Sequence, residues 1–405
     1  MGGWYSVGEI PLRRIRKKCI RNIRLWIESA HQTLVGARLA PEGVCGDVVR
    51  TFQTEERLLV ILASGPGGSG APGGAEGRAK ATRIVDRVAS MLEQGTSLDT
   101  VVEIMLAALP NGEHMPFSIL QVLGGCQAHL VECDAPPLFL TRSGQLVLLP
   151  VLEDISHGRL VRECRFLLQD GDHVAMVSEG FIRARGWSQR WEWRDIAVST
   201  RRWTDTRCDA EQLLGALIRT YRRLAEGEPE RDVTVIAMHV RPLRSATVWS
   251  GPPADPSLDR TALERLVVER GQRVICGDTT AQIAARLLGV ELEIESRPPE
   301  GWAEIPPSAR LEGVHLVTEG LITLSKTGER LAAARDARDL PRTEDGATRL
   351  ARTLLAADSI HFIVGLAVNP QQADDDASVP LRQAAAGKLM DDLEARGKLV
   401  SVEYL

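Results

Sequence analysis

The spacing of apolar and polar residues changes along the chain, and it divides the chain into two halves. In the first half, short apolar or alternating runs predict strands. These are residues 25–34, 57–63, 173–177 and 232–240. Apolar residues at helical spacing predict helices over residues 75–92, 98–109 and 210–224. Strands and helices do not alternate one for one here, which favours a mixed or antiparallel sheet over a doubly wound parallel one.

In the second half, beyond a proline cluster at residues 241–257, strands and helices do alternate. The pattern predicts strands over residues 274–276, 290–294, 314–318, 359–368 and 399–404, with helices over 279–288 and 381–395. It is typical of a small α/β domain. We therefore expect a basic extension over residues 1–24, a first domain over 25–243 and a second over 247–405.

Composition narrows the class of protein. The chain has 405 residues, of which 44% are hydrophobic and 25% charged, and its net charge is −5. These values are ordinary for a soluble protein, and the acidic balance argues against a nucleic-acid binder. No apolar run approaches the ~18 residues of a membrane span. Seven cysteines without a CxxC pair give no support to a zinc or iron–sulfur site, and they indicate a reduced, cytoplasmic protein. The basic residues 1–24 are read either as a solvated extension or as an amphipathic helix on an anionic membrane or partner.

Four strand ends in the first half carry a carboxylate or a small polar residue. They are Gly46-Asp47, Ala63-Ser64-Gly65, Ser178-Glu179-Gly180 and Arg231-Asp232-Val233-Thr234. Oxygen ligands without histidine or cysteine suit Mg²⁺ or Mn²⁺. Each motif alone is weak, because an acidic residue at a turn is more often a solvated cap, so the order of all four is the stronger signal.

These motifs resemble the SpoIIE-type branch of the PPM metal-dependent protein serine/threonine phosphatases. That family shows Gly-Asp, a Ser-Asp-Gly strand end, a second Gly-Asp, a second Ser-Asp-Gly, and Asp-Asp-x-Thr on its last strand. The matching residues are Gly46-Asp47, Ala63-Ser64-Gly65, Gly171-Asp172, Ser178-Glu179-Gly180 and Arg231-Asp232-Val233-Thr234. The resemblance implies an α/β (α+β) fold, in which the PPM αββα sandwich is followed by a small α/β domain.

The resemblance also implies a function. Asp47, Glu179, Asp232 and the Gly65 carbonyl would hold one or two Mn²⁺ or Mg²⁺ ions, and a metal-activated water would hydrolyse phosphoserine or phosphothreonine in a regulatory protein of bacterial signalling. No catalytic nucleophile of the protein is expected. Ser64 is a degenerate metal position, because the family has aspartate there. The alternative is therefore a catalytically inactive pseudophosphatase that binds a phosphoprotein or regulatory partner.

The second domain carries its own candidate. Some SpoIIE-type proteins, mostly of anaerobic bacteria, have similar segments, which here read Cys276-Gly277-Asp278-Thr279-Thr280, Leu316-Val317-Thr318-Glu319-Gly320 and Val364-Gly365-Leu366-Ala367-Val368-Asn369-Pro370. A strand, a tight loop and a helix start make Gly277, Thr279 and Thr280 candidate anion-binding residues. The alternative is that a threonine only caps the helix. Another hypothesis is that this domain senses a ligand and governs the first.

Overall fold

A computed structural model describes residues 25–34, 45–54, 56–65, 74–109, 114–182, 193–204, 208–225, 232–268, 271–295, 305–367 and 381–405. The basic extension over 1–24, the position of Arg231 and residues 368–370 lie outside them. The chain divides into two compact units, Met1–Pro242 and Leu243–Leu405. Within the described ranges, no helix combines the length and the apolar character that crossing a membrane requires.

The first unit contains eleven described strands in two antiparallel sheets. The strands are β1 (Leu25–Leu34), β2 (Asp47–Gln53), β3 (Arg57–Ser64), β4 (Phe117–Leu123), β5 (Gln127–Cys133), β6 (Phe139–Arg142), β7 (Gln145–Val147), β8 (Leu152–Ser156), β9 (Arg159–Leu167), β10 (His173–Val177) and β11 (Val233–Pro242). One sheet has the order β1-β11-β10-β6-β7, and the other has the order β2-β3-β4-β5-β9-β8. The antiparallel arrangement expected from the sequence is therefore present.

Helices cover the outer faces of both sheets. They are α1 (Gly74–Glu93), α2 (Leu98–Ala108), α3 (Glu179–Ile182), α4 (Trp193–Thr204) and α5 (Ala210–Leu224). Side chains of α1 and α2 pack on the six-stranded sheet, and those of α4 and α5 pack on the five-stranded sheet. The inner faces of the two sheets share a third core. The αββα sandwich predicted for the first unit is confirmed.

Strand β11 shows how the sequence makes these layers. Its alternate residues Ile236 and Met238 lie in the core between the sheets, whereas Val235 and Ala237 pack against the outer helices. Successive strand residues face opposite sides of a sheet, and both sides are covered here, so the strand is a continuous apolar run.

The second unit contains a seven-stranded sheet. Its strands are β12 (Ser245–Ser250), β13 (Gln272–Cys276), β14 (Leu292–Ile294), β15 (Ala309–Leu311), β16 (Val314–Thr318), β17 (Ser359–Val364) and β18 (Leu399–Tyr404). The order is β14-β15-β16-β13-β12-β17-β18, in which the last five strands are mutually parallel. Its helices are α6 (Asp259–Val268), α7 (Asp278–Leu288), α8 (Leu321–Ala333), α9 (Gly346–Ala356) and α10 (Leu381–Ala395).

Both faces of this parallel sheet are covered. Helices α6 and α7 share one hydrophobic core with it, and α8, α9 and α10 share another. The α/β class predicted for the second half is confirmed. The six cysteines in the described residues are all free thiols and all buried, namely Cys45, Cys126, Cys133, Cys164, Cys208 and Cys276.

Candidate metal centre of the first unit

Two buried carboxylates meet where strands of the two sheets come together. Asp47 begins β2 in the six-stranded sheet, and Asp232 directly precedes β11 in the five-stranded sheet. Each residue is only 7% exposed. The backbone N–H of Gly46 donates to Asp232 Oδ2 at 2.5 Å, which fixes the two acidic residues beside each other. The structure therefore brings together two residues that the sequence separates by 185 positions.

Hydroxyl groups surround the Asp47 carboxylate. Thr234 Oγ1 donates to Asp47 Oδ2 at 2.7 Å, and the nearby hydroxyls of Ser64 and Ser178 also favour the charged form of Asp47 and so act to lower its pKa. Burial nevertheless raises the pKa of Asp47 to about 6, and the negative charge of Asp232 adds to the increase. Because two buried like charges oppose each other, a cation bound between them would stabilise both.

Ser64 is the nearest neighbour of Asp47 on the adjacent strand. It ends β3, and its register partner on β2 is Asp47. Its hydroxyl favours the charged form of the Asp47 carboxylate and carries no charge of its own. A third carboxylate is therefore missing from a position that touches Asp47, as the departure at Ser64 predicts.

Gly65 follows Ser64, at a place where its backbone comes close to the backbone of Gly46 and of Gly77. Its N–H donates to the Gly46 carbonyl at 2.9 Å. A Cβ atom at this position would lie 2.5 Å from the Gly77 carbonyl carbon in α1 and 2.9 Å from the Gly46 carbonyl oxygen. The site therefore requires glycine at this position for steric reasons, whatever role the Gly65 carbonyl has.

Glu179 is next in the chain to Ser178, which bonds to Thr234 in this cluster, but the Glu179 carboxylate lies beside His114. The hydroxyl of the preceding Ser178 accepts the Thr234 N–H at 2.9 Å. The Glu179 carboxylate, 18% exposed, lies 3.9 Å from the Nε2 atom of His114. Among the described residues, Asp47, Glu179 and Asp232 do not bring three oxygen atoms within 4.8 Å of one another. The assignment of Glu179 as a metal ligand stays a prediction.

Arg78 adds a positive charge that the sequence reasoning missed. Its Nη1 atom donates to the carbonyl oxygens of Cys45 at 3.1 Å and Asp47 at 3.2 Å. Arg78 lies in the first turns of α1, shortly after a stretch of the sequence that is rich in glycine and proline, residues 65–74. That position is the only signal in the sequence, and it does not separate Arg78 from the other arginines of the helix.

The second Gly-Asp motif, Gly171-Asp172, has a structural role in the first unit. Asp172 is fully buried and accepts two hydrogen bonds from Arg142, to Oδ1 at 2.8 Å and to Oδ2 at 2.7 Å. It also accepts the Gln169 N–H at 2.8 Å. The pair fixes the turn that leads into β10, the strand that directly precedes Ser178 and Glu179.

The donor set at Asp47 and Asp232 fits a hard divalent cation. It consists of two buried carboxylates and hydroxyl oxygens, which suits Mg²⁺ or Mn²⁺. A different group of potential ligands, Asp99, His129 and Glu163, lies where helix α2 meets strands β5 and β9. There Arg165 already pairs with Asp99 at 2.8 Å and with Glu163 at 3.3 Å, so a resident cation balances both carboxylates.

The candidate anion-binding residues of the second unit lie at the beginning of α7. Gly277 is the N-cap residue of that helix and makes no side-chain cap. Thr279 is exposed, whereas Thr280 is fully buried. Thr280 therefore points into the protein. Because Gly277 is the N-cap residue, neither Thr279 nor Thr280 occupies the capping position of this helix.

No family model matches the sequence, and no curated protein matches it either. Solved structures do. The phosphatase domain of SpoIIE from Bacillus subtilis has 15% sequence identity and a TM-score of 0.42, covering 54% of this chain and 94% of that one. The neighbours are PP2C-type phosphatase domains. The serine/threonine phosphatase of S. agalactiae has 14% identity and a TM-score of 0.39, covering 53% of this chain and 99% of that one.

A third solved structure comprises the RsbU and RsbW domains of a Mycobacterium tuberculosis protein. It has 17% identity and a TM-score of 0.45, and it covers 60% of this chain and 69% of that one. At these identities a likeness to PP2C-type domains concerns the fold alone. The names agree with the family that the motifs resemble.

Proposed function

We propose that the first unit is a metal-dependent protein serine/threonine phosphatase of the SpoIIE type. Its substrate would be a phosphoserine or phosphothreonine in a regulatory protein. The observation that carries this proposal is the pair of buried carboxylates, Asp47 and Asp232, held beside each other through Gly46. Burying two acidic groups together is unfavourable unless a cation or a proton compensates them.

Asp47 and Asp232 would hold the ion, with the Gly65 carbonyl and Glu179 as further ligands. A bound Mn²⁺ or Mg²⁺ supplies an activated water and offsets negative charge on the phosphoryl group. The Thr234 hydroxyl orients the Asp47 carboxylate, and the Gly46 N–H orients that of Asp232. The charge of Arg78 lies beside them, which favours the approach of a phosphorylated protein.

A second candidate function is a pseudophosphatase that recognises a regulatory partner without hydrolysis. Ser64 favours it, because a hydroxyl replaces the charge beside Asp47. The position of the Glu179 carboxylate near His114 favours it as well. In that case the hydroxyl donors around Asp47 would have a structural role only.

Calorimetric titration of the full chain with Mn²⁺ separates the two candidates. Asp232→Asn removes the charge and keeps an oxygen for the Gly46 N–H, so the local fold should survive. We expect binding with a dissociation constant in the micromolar range, weakened at least about tenfold in this variant. Asp86→Asn, an exposed position on α1, is the matched control and should bind as the wild type does.

The absence of Mn²⁺ binding up to about 1 mM, where the free energy of association is only about −4 kcal/mol, would contradict the phosphatase proposal and support the second candidate. If Mn²⁺ binds, the manganese-loaded protein should next hydrolyse phosphoserine or phosphothreonine peptides. The same Asp232→Asn variant should lose that activity.

A further inference from the structure

The parallel sheet of the second unit changes its winding direction beside β12. Helices α6 and α7 follow β12 and β13 on one face, whereas α8, α9 and α10 lie on the other. Strands β13 and β17 both pair in parallel with β12, one on each side. In open α/β sheets, the crevice at such a switch point, outside the carboxyl ends of the strands, is where ligands bind.

Glycine follows each of the central parallel strands at this edge. Gly251, Gly277 and Gly365 come directly after β12, β13 and β17, and Gly320 comes two residues after β16. Gly251 and Gly277 have φ values of +85° and +129°, a region that favours glycine. A Cβ on Gly320 would lie 3.5 Å from the Gly277 Cα, so the first residues of α7 and α8 come close together. The edge is therefore lined by backbone.

Three buried hydroxyl groups at this edge have no hydrogen-bond partner in the described part of the chain. Ser250, Thr280 and Thr323 are each 0% exposed, and the hydroxyl oxygen of each is unpartnered. Thr280 Oγ1 lies 3.1 Å from the place where a Cβ on Gly277 would be, so it points at the start of α7. A buried hydroxyl without a partner loses its hydration without compensation, which is unusual in native proteins and indicates an absent ligand or water.

The other two hydroxyls lie toward α8 and α10. Residues alternate along β12, and Ala246 and Val248 pack in the core formed with those helices, so Ser250 faces the same side. Thr323 lies in the first turn of α8, and its N–H donates to the Glu319 Oε2 atom at 3.2 Å. Glu319 therefore already supplies a carboxylate to the beginning of α8.

Arg382 brings a cation to the same place. It lies in the first turn of α10, and its Nη1 atom is buried without a hydrogen-bond partner among the described residues. A Cβ on Gly251 would overlap this atom, so the guanidinium reaches directly over the end of β12. The Glu319 carboxylate is near enough to stabilise the charge of Arg382 electrostatically. The second acidic group at this edge, Asp278, is exposed.

We propose that this carboxyl edge binds a small molecule through an anionic group, a phosphate or a carboxylate. The anion would lie between the Arg382 guanidinium and the beginning of α7, with Thr280 and Ser250 as hydroxyl donors. A guanidinium–oxyanion pair and a helix N-terminus together provide charge-assisted hydrogen bonds. Glu319 and Asp278 would face the rest of the ligand and favour hydroxyl or amino groups there. This inference is independent of metal binding in the first unit.

The test is calorimetric titration of the full chain with three probes: inorganic phosphate, a nucleoside 5′-monophosphate and a small dicarboxylate. We expect at least one to bind, and the stronger class tells phosphate from carboxylate. Arg382→Gln should weaken that binding at least about tenfold, the loss of one charge-assisted contact. Arg338→Gln is the matched control, because Arg338 is 84% exposed and pairs with Asp336, and it should change nothing.

Thr280→Val separates binding from folding. It removes a hydroxyl that has no hydrogen-bond partner among the described residues, so the melting temperature should stay the same or rise, while binding of the same probe weakens. Thr353→Val, which removes a hydroxyl bonded to the Arg349 carbonyl in α9, should leave binding unchanged. The proposal is overturned if none of the three probes binds up to about 10 mM. It is also overturned if folded Arg382→Gln or Thr280→Val protein binds as the wild type does.

Discussion

Replacing Ser64 by aspartate tests the reasoning about the metal centre most directly. Ser64 is the register partner of Asp47, so the new carboxylate would lie beside Asp47 and close to Asp232. A divalent ion and a unit negative charge 4 Å apart at an effective dielectric constant of 20 interact by about 8 kcal/mol, twice the value for two unit charges. We expect part of this energy to be lost to desolvation and hydrogen-bond rearrangement.

A net gain of about 3 kcal/mol corresponds to Mn²⁺ affinity about a hundredfold higher in Ser64→Asp than in the wild type. Without metal, the extra charge should raise the pKa of Asp47 above its value of about 6 and lower the melting temperature. Calorimetry at pH 7.5 measures the affinity, and thermal melts with and without Mn²⁺ measure the rest. Ser90→Asp, at an exposed position of α1, is the control. An unchanged or weaker affinity for Mn²⁺ in folded Ser64→Asp protein would refute the placement of the ion beside Asp47.

Three further predictions concern stability. Asp172→Asn removes the charge of a fully buried carboxylate from its pair with Arg142, whose side chain is 30% exposed, and should lower the free energy of unfolding by about 1.5–3 kcal/mol in urea denaturation. The exposed Asp99→Asn should change it by under about 1 kcal/mol, and equal effects would contradict the anchoring role of Asp172. Gly65→Ala should lower the melting temperature, because its Cβ would overlap the backbone of α1. Gly387→Ala in α10 has open space around it and should raise stability by about 0.5–1 kcal/mol in the same thermal melts. A neutral Gly65→Ala would show that the close approach of the backbone at Gly65 is absent. Burial raises the pKa of Glu132 to about 7 from 4.5, so between these pH values the folded state holds a proton that the unfolded state has released. The free energy of unfolding of the wild type, relative to that of Glu132→Gln, should therefore fall as pH rises from 4.5 to 7. A rise of this relative stability over the same pH range would contradict the raised pKa.

Much of the fold could be predicted because each layer leaves a period in the sequence. Strand β3 and helices α1, α2 and α5 were expected within a few residues of their observed bounds. Helices α8 and α9 were not predicted. From the sequence alone, no element was assigned between β16 and β17. The packing of both helices depends on the parallel sheet below them.

The site divides in the same way. The order of the motifs along the chain was enough to select Asp47, Ser64 and Asp232 as candidate site residues. Arg78 and His114 were missed, since each acts through contacts that depend on tertiary packing and leaves no local pattern. Arg382 shows this limit even more clearly, because it is separated from Gly251 by more than 100 residues and only the parallel sheet brings them together.

The burial of the cysteines has a practical consequence for following the motions of the protein. The thiolate is the form of cysteine that attacks an alkylating reagent. Burial raises the pKa of Cys133 to about 12, that of Cys164 to about 11 and that of Cys276 to about 12, so little thiolate is present at neutral pH. Alkylation at neutral pH therefore has to wait for local opening of the structure. Cys133 and Cys164 report opening of the first unit, and Cys276 reports opening of the second, so the chain carries its own reporter group in each half. Mass spectrometry of the alkylated protein would then follow the two units separately in one sample, and a ligand that tightens only one of them would reveal itself by the thiol it protects.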